Sequence, residues 1–75
     1  MIGDWWHSSG GDIVVAPAVG DATGVVVKHY LLGEARLQAS SFVVRGKLRF
    51  AGHEGVLERT DLIQWSNGAT WTKVS

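Results

Sequence analysis

Short runs of apolar and β-branched residues, separated by glycine-rich turns, recur along the whole chain. Residues 12–16 and 25–30 are two such runs, and each follows a glycine-rich stretch. This composition between turn residues is typical of β-strands. The segment 31–38 is ambiguous, because its Glu, Ala, Arg, Leu and Gln favour a helix while Gly33 interrupts it. We interpret it as a strand, a turn at Gly33 and another strand, with a short helix as the alternative.

The clearest alternation of apolar and polar positions covers residues 42–59. From Phe42 to Phe50, every second residue is apolar or glycine, which is the period of a strand with one buried face. A two-residue turn at 51–52 then sets the register of a hairpin. Its pairs are Phe50–His53, Arg49–Glu54, Leu48–Gly55, Lys47–Val56, Gly46–Leu57 and Arg45–Glu58. Opposite charges that face each other add about 0.2–1 kcal/mol per pair, so charge and packing favour the same register.

A second hairpin is predicted at the end of the chain, around Asn67-Gly68, because both residues tolerate positive φ. A two-residue turn would point Trp71 away from the face that carries Trp65. A three-residue loop over 66–68, with Gly68 left-handed in a bulge, places Ile63, Trp65 and Trp71 on one face. Its pairs are Ile63–Trp71 and Trp65–Ala69. Since burying two Trp side chains contributes several kcal/mol, we predict the bulged loop.

These elements predict one all-β domain spanning residues 1–75, a small antiparallel meander of five or six short strands closed as a barrel. The strand that holds Trp5 and Trp6 would lie beside the strand that holds Trp71. The alternative is an open sheet that dimerises through an apolar face. Trp5 and Trp6 are adjacent, so on a strand they point to opposite faces, and one of them faces outward or into an interface.

Composition limits the partners of this domain. The chain has 75 residues, 45% of them hydrophobic, and no Cys, so a small apolar core must stabilise it without disulfides or a thiolate metal site. Seven basic and seven acidic residues cancel, which argues against a mainly electrostatic nucleic-acid or membrane partner. The apolar runs are too short for a membrane span.

The two ends of the chain carry a recognisable pattern. Gly3-Asp4-Trp5-Trp6-His7-Ser8 precedes the apolar run at 12–15, and Ile63-Gln64-Trp65-Ser66-Asn67-Gly68-Ala69-Thr70-Trp71 stands near the other end. This resembles a Trp-bracketed small β repeat, found as uncharacterised modules, often in tandem, in algal and other protist proteins. The chain departs from the repeat at Trp6 and in the long apolar run 25–32. The resemblance implies a compact β module and no known chemistry.

Side chains that could bind a metal or nucleic acid, or act in catalysis, give few further predictions. His7, His29 and His53 could converge with Asp4 or Glu54, but no two stand at a metal-ligand spacing, so we expect packed or surface histidines and no metal. The basic stripe Arg45, Lys47 and Arg49 is answered by Glu54 and Glu58 in the predicted register, which argues against nucleic acid. No nucleophile signature or phosphate-binding glycine loop is present. We therefore expect no catalytic residue, no cofactor and no enzyme activity.

The aromatic residues give the functional prediction. If Lys28 faces water, Val26 and Tyr30 share its face and lie outside, with one of Trp5 and Trp6. We expect a non-enzymatic interaction or assembly module, which self-associates or docks on a larger protein partner through these residues. The alternative is a small-ligand-binding barrel with a pocket lined by Trp65 and Trp71.

Overall fold

Eight short antiparallel strands form most of the chain in a computed structural model, which describes residues 2–74. They are β1 (Gly3–His7), β2 (Asp12–Pro17), β3 (Gly24–His29), β4 (Gly33–Gln38), β5 (Lys47–Phe50), β6 (His53–Arg59), β7 (Leu62–Trp65) and β8 (Thr70–Lys73). A 3-10 turn, Ala39–Ser41, follows β4. The prediction of an all-β antiparallel meander is confirmed, although it counted too few strands.

The eight strands form one sheet, and the first and last strands of the chain are neighbours in it. The spatial order is β4-β3-β2-β1-β8-β7-β6-β5, so β1 pairs with β8. His7 stands opposite Trp71 in that ladder, and the amide of Val74 donates to the carbonyl of Asp4 at 2.8 Å. The predicted neighbourhood of the two tryptophan-bearing ends is therefore confirmed. Within residues 2–74 no ladder joins β4 to β5, so the barrel is nearly closed and has one seam between these strands.

Residues 33–38 of the ambiguous segment form a strand instead of the alternative short helix, and the turn predicted at Gly33 is displaced toward the preceding residues. β4 pairs with β3 from Gly33 opposite His29 to Gln38 opposite Gly24. The turn lies over Tyr30, Leu31 and Leu32, just before Gly33. The hairpin contacts outweigh the helix-favouring composition, because a helix of this length has little stability of its own.

The predicted strand from Phe42 onward is wrong in its first half. The amide of Gly46 donates to the carbonyl of Val43 at 2.7 Å, and Arg45 has φ +67°, so this stretch is a tight turn. Val43 and Val44 are consequently both exposed. The ladder of β5 begins at Lys47, and the predicted Arg45–Glu58 pair is absent from it. From Lys47–Val56 to Phe50–His53, the predicted register is confirmed, and Arg49 lies 3.5 Å from Glu54.

The terminal hairpin has the predicted bulged loop. Ile63 stands opposite Trp71, the amide of Trp65 donates to the carbonyl of Ala69 at 2.9 Å, and Gly68 has φ +89°. The three residues on the shared face, Ile63, Trp65 and Trp71, are all buried. The barrel interior also contains Trp5, Ile13, Val15, Val25, Val27, Leu48, Phe50 and Leu57.

Candidate functional site

One end of the barrel contains a cavity of about 300 Å³, which we call the end cavity. In an antiparallel meander the turns β1–β2, β3–β4, β5–β6 and β7–β8 all lie at the same end. Each of these turns, or the strand positions next to it, contributes to the lining. The contributions are His7 and Ser9, then His29, Tyr30, Leu31 and Leu32, then Phe50 and His53, and finally Trp65, Asn67, Ala69 and Trp71. These residues come together because every second turn of the meander lies at the same end of the barrel, and not because of a local sequence motif.

Stacked and edge-on rings form the inner wall of the end cavity. The ring centroids of Trp65 and Trp71 lie 4.6 Å apart, and Phe50 packs edge-on against Trp71 at 5.6 Å. His29 stacks on Tyr30, with centroids 4.7 Å apart and planes 17° apart. Aromatic pairs at such distances stabilise each other beyond the effect of the area they bury, so these rings hold one another in position.

Tyr30 reaches the rim of the end cavity because Gly11 has no side chain. A Cβ atom on Gly11 would overlap the ring of Tyr30 at Cε1. The ring therefore lies across the β1–β2 hairpin, in contact with the rings of both His7 and His29, instead of on the outer wall. Leu31 and Leu32 continue this rim and are 74% and 54% exposed. The cavity thus has an aromatic interior and an exposed apolar lip.

Two of the histidines have their Nδ1 atoms occupied by backbone amides. His29 Nδ1 accepts hydrogen bonds from the amides of Leu31 at 3.1 Å and Leu32 at 3.2 Å. His7 Nδ1 accepts from the amide of Ser9 at 2.9 Å. A nitrogen that accepts carries no proton, so in the neutral imidazole the proton is on Nε2. Burial, and then the neighbouring His7, lower the pKa of His29, which also favours its neutral form.

This arrangement is poorly suited to a metal. A histidine that binds a metal through Nε2 needs its proton on Nδ1, and there it would lose its backbone hydrogen bonds. Over residues 2–74, no three His, Cys, Asp or Glu side chains are grouped so as to hold a metal ion. The three histidines do line one cavity, and His7 and His29 act there as hydrogen-bonding and ring-packing groups.

One buried donor in the lining has no partner. Trp65 is 4% exposed, and its Nε1 atom is buried without a hydrogen bond to any described group. A buried N–H group without a partner is destabilising by about 1–3 kcal/mol, so native structures keep few of them. None of the described residues that line the cavity is Asp, Glu, Lys or Arg. The site is therefore uncharged when its histidines are neutral.

The residues predicted to contact a partner lie in three separate places. Trp5 is fully buried in the barrel, whereas Trp6 is 50% exposed on the outer wall, between Asp12 and Thr72. Val26 is half-buried on the outer wall of β3, and Tyr30 lies at the rim of the end cavity. Trp6 and Val26 thus both lie on the outer wall, on different strands, whereas Trp5 faces the interior and Tyr30 the rim. The structure does bring Trp65 and Trp71 together, as the alternative prediction requires.

A second cavity, of about 550 Å³, lies along the seam between β4 and β5. Its charged residues are Arg36, Lys47 and Arg49 together with Asp21 and Glu54. Both signs of charge are thus present in the groove, and Arg49 and Glu54 are within ion-pair distance. Arg45, the third member of the predicted basic stripe, lies in the preceding turn.

Comparison of the chain with protein-family models, with curated proteins and with solved structures gives no match. The resemblance to the Trp-bracketed repeat therefore stays a prediction. Across the described part of the chain, no helix has the length and apolar character needed to cross a membrane.

Proposed function

We propose that this protein is a non-catalytic binding barrel that holds a small ligand in the end cavity. The observation that carries this proposal is the aromatic lining of the cavity, in which Trp65 and Trp71 lie side by side. The interior of a barrel this narrow is filled by its own side chains, so the end is where a ligand can enter. Ligand sites are commonly concave and mostly apolar, with volumes from about 300 Å³ upward, and they occur in the mouths of β-barrels.

The position of the lip supports the same proposal. Leu31 is among the most exposed large apolar residues of the described chain, and with Leu32 it stands at the edge of the cavity. Exposed apolar side chains are unremarkable singly, but a contiguous group next to an aromatic cavity is typical of a binding surface. A ligand that extends beyond the rings would cover these two leucines.

¹H–¹⁵N NMR spectroscopy of the protein with ¹⁵N-labelled tryptophan tests the proposal, because each of the four indole N–H groups gives one signal. A library of ring-containing fragments is added to the intact protein. We expect binding fragments to shift the indole signals of Trp65 and Trp71, which line the cavity, and to leave that of Trp6 on the outer wall unmoved. If fragments shift only Trp6, or none shifts any signal, the proposal is wrong.

A pair of surface variants locates the binding. Leu31→Glu places a charge on the lip and is expected to weaken fragment binding several-fold without unfolding the protein, since the side chain is already 74% exposed. Val44→Glu is the matched control, because Val44 is also exposed but lies outside the cavity lining. Equal effects of the two variants would contradict a site at this end of the barrel.

A second candidate function, self-association through the outer wall, is favoured by Trp6. A half-exposed Trp on the outer face of a strand that is paired at both edges can pack against a second copy of the same surface. Sedimentation velocity of the wild type and of Trp6→Ser at micromolar concentration tests this. A concentration-dependent dimer that Trp6→Ser abolishes is the expected result, and a strict monomer would exclude it.

A further inference from the structure

The hydrogen-bonding groups of the end cavity define the chemistry of its ligand. We propose that the cavity takes a flat, uncharged ring compound whose oxygen atoms only accept hydrogen bonds, such as a fused-ring lactone or ketone. This inference rests on the proposed binding function and names the ligand class of the same site.

Donors dominate the polar part of the lining. His7 and His29 each have Nδ1 occupied by a backbone amide, so the group left to each neutral ring is the Nε2–H donor. Trp65 Nε1–H also lacks a partner among the described groups, but it is sealed inside the protein and out of reach of a ligand in the cavity. The two histidine N–H groups are therefore the donors that a ligand oxygen can meet.

Three side-chain acceptors in the lining are in use, and the remaining ones belong to Ser9, Tyr30 and His53, whose hydroxyl or ring N–H groups can also donate. Besides the two Nδ1 atoms, the Oδ1 atom of Asn67 accepts from the amide of Ala69 at 3.0 Å. Each hydroxyl of a sugar brings a proton that needs an acceptor, and a buried donor without one is unfavourable. A carbonyl or ether oxygen brings no proton. The lining therefore favours acceptor-only ligands over polyols.

Charge and shape narrow the class further. The described lining has no carboxylate, ammonium or guanidinium group to pair with a charged ligand, and burial of an unpaired charge is strongly unfavourable. The walls are the faces and edges of one continuous ring cluster, in which His29 stacks on Tyr30 and Phe50, and Trp71 contacts His29, Phe50 and Trp65. Planar rings pack against such surfaces in offset-stacked or edge-on geometry.

Three probes separate the ligand classes: coumarin, naphthalene and methyl β-glucopyranoside. Coumarin has two fused rings, a carbonyl and a ring oxygen, and no hydrogen-bond donor. Naphthalene has two fused rings without oxygen, and the glucoside is a polyol. Each is titrated into the intact protein while the indole ¹H–¹⁵N signals are recorded. We expect coumarin to bind about tenfold more tightly than naphthalene, since two net hydrogen bonds of moderate strength correspond to roughly that factor.

The indole signals of Trp65 and Trp71 report occupancy of the cavity. Both should shift with coumarin and, at higher concentration, with naphthalene, because each ring compound would lie against the lining indoles. The glucoside should leave Trp65 and Trp71 unmoved. Naphthalene binding as tightly as coumarin, or the glucoside binding more tightly than coumarin, would overturn the inference while leaving the cavity as a binding site. If no probe shifts the signals of Trp65 and Trp71, the inference and the proposed function both fail.

Removing the Nε2–H donor of one histidine tests how much it contributes to the preference for coumarin over naphthalene. His29→Asn keeps a side-chain oxygen that can accept from the amides of Leu31 and Leu32 but removes Nε2–H, so the ratio of naphthalene to coumarin dissociation constants should fall several-fold. Lys28→Asn, one residue earlier and on the outer wall, is the control and should leave this ratio unchanged. His7→Asn provides the same test at the second histidine if His29→Asn does not fold. An unchanged ratio in a folded histidine variant would contradict the assignment of that donor.

Discussion

The indole of Trp65 lies directly against the backbone of Gly55, its partner across the β6–β7 ladder. A Cβ atom on Gly55 would stand 2.7 Å from Trp65 Cε3, closer than real Cβ contacts allow. The absence of a side chain at Gly55 therefore lets the indole fold flat over its own sheet. This contact fixes where Trp65 stands in the end cavity.

Gly55→Ala should consequently destabilise the protein by about 1–3 kcal/mol through overpacking. Trp65→Phe should relieve much of that strain, because the smaller ring leaves space over residue 55. Urea unfolding of both single variants and the double variant gives the coupling energy. Strictly additive effects of the two substitutions would show that the indole does not depend on Gly55.

Gly68 tests the bulged loop of the terminal hairpin. Its φ of +89° is unfavourable for a residue with a Cβ atom, although nothing lies within 4 Å of the position a Cβ would take. Gly68→Ala should therefore lower the free energy of unfolding by about 1 kcal/mol through backbone strain alone. Gly68→Asn should lower it less, because Asn tolerates positive φ better. Chemical denaturation of both variants measures the order, and Ala tolerated as well as Asn would contradict it.

Adjacent tryptophans offer a matched pair of substitutions. Trp5 is fully buried and Trp6 is half-exposed on the same strand. Trp5→Ala should destabilise the barrel by about 3–5 kcal/mol, as expected for truncating a core Trp. Trp6→Ala should change stability by less than about 1 kcal/mol, since its environment is that of a surface residue. Thermal unfolding by circular dichroism compares the two, and similar losses would place Trp6 in a packed environment.

The buried imidazole of His29 makes stability depend on pH. Burial, with His7 beside it, lowers the pKa of His29 below its ordinary value of 6.5 in the folded chain. Below about pH 6.5 the unfolded chain binds a proton that the folded chain does not, so the free energy of unfolding falls as the pH decreases toward the lower folded pKa. For one proton, the slope is at most about 1.4 kcal/mol per pH unit.

His29→Asn should remove this component of the pH dependence. The other titratable groups near the ring are His7, Tyr30 and His53, and they are retained in the variant. Urea unfolding of both proteins between about pH 7.5 and 5.5 avoids most carboxyl titration. Parallel stability curves for the wild type and the variant would contradict a lowered pKa of His29.

Turn-forming residues and the alternation of side chains between the two faces of each strand made much of the fold predictable. The bulge at Gly68 followed from the requirement that Ile63 and Trp71 share a face with Trp65, and the β5–β6 register followed from charge pairing of Arg49 with Glu54. The same alternation failed at Val43 and Val44. There, positive φ at Arg45 and the tight turn at Gly46 break a pattern that looks continuous in the sequence.

The candidate site was less predictable than the fold. Trp65 and Trp71 were predicted as pocket residues only in the alternative to the interaction module, and the roles of His7, His29 and the leucine lip depend on which end of the barrel each turn occupies. The meander itself indicates which turns meet, since every second turn lies at the same end of the barrel. Tyr30 was assigned to the outer wall because alternation was continued past the end of β3. Its actual direction depends on the space above Gly11, which no local pattern encodes.

The seam between β4 and β5 has a consequence for folding kinetics. The most distant segments in sequence, β1 and β8, must pair, while the consecutive strands β4 and β5 do not. A circular permutant that starts at β5, joins Val74 to Gly3 through a short linker and ends at β4 would have spatial order equal to sequence order. Every ladder would then connect consecutive strands, the contact order would fall, and this permutant should fold faster than the natural chain.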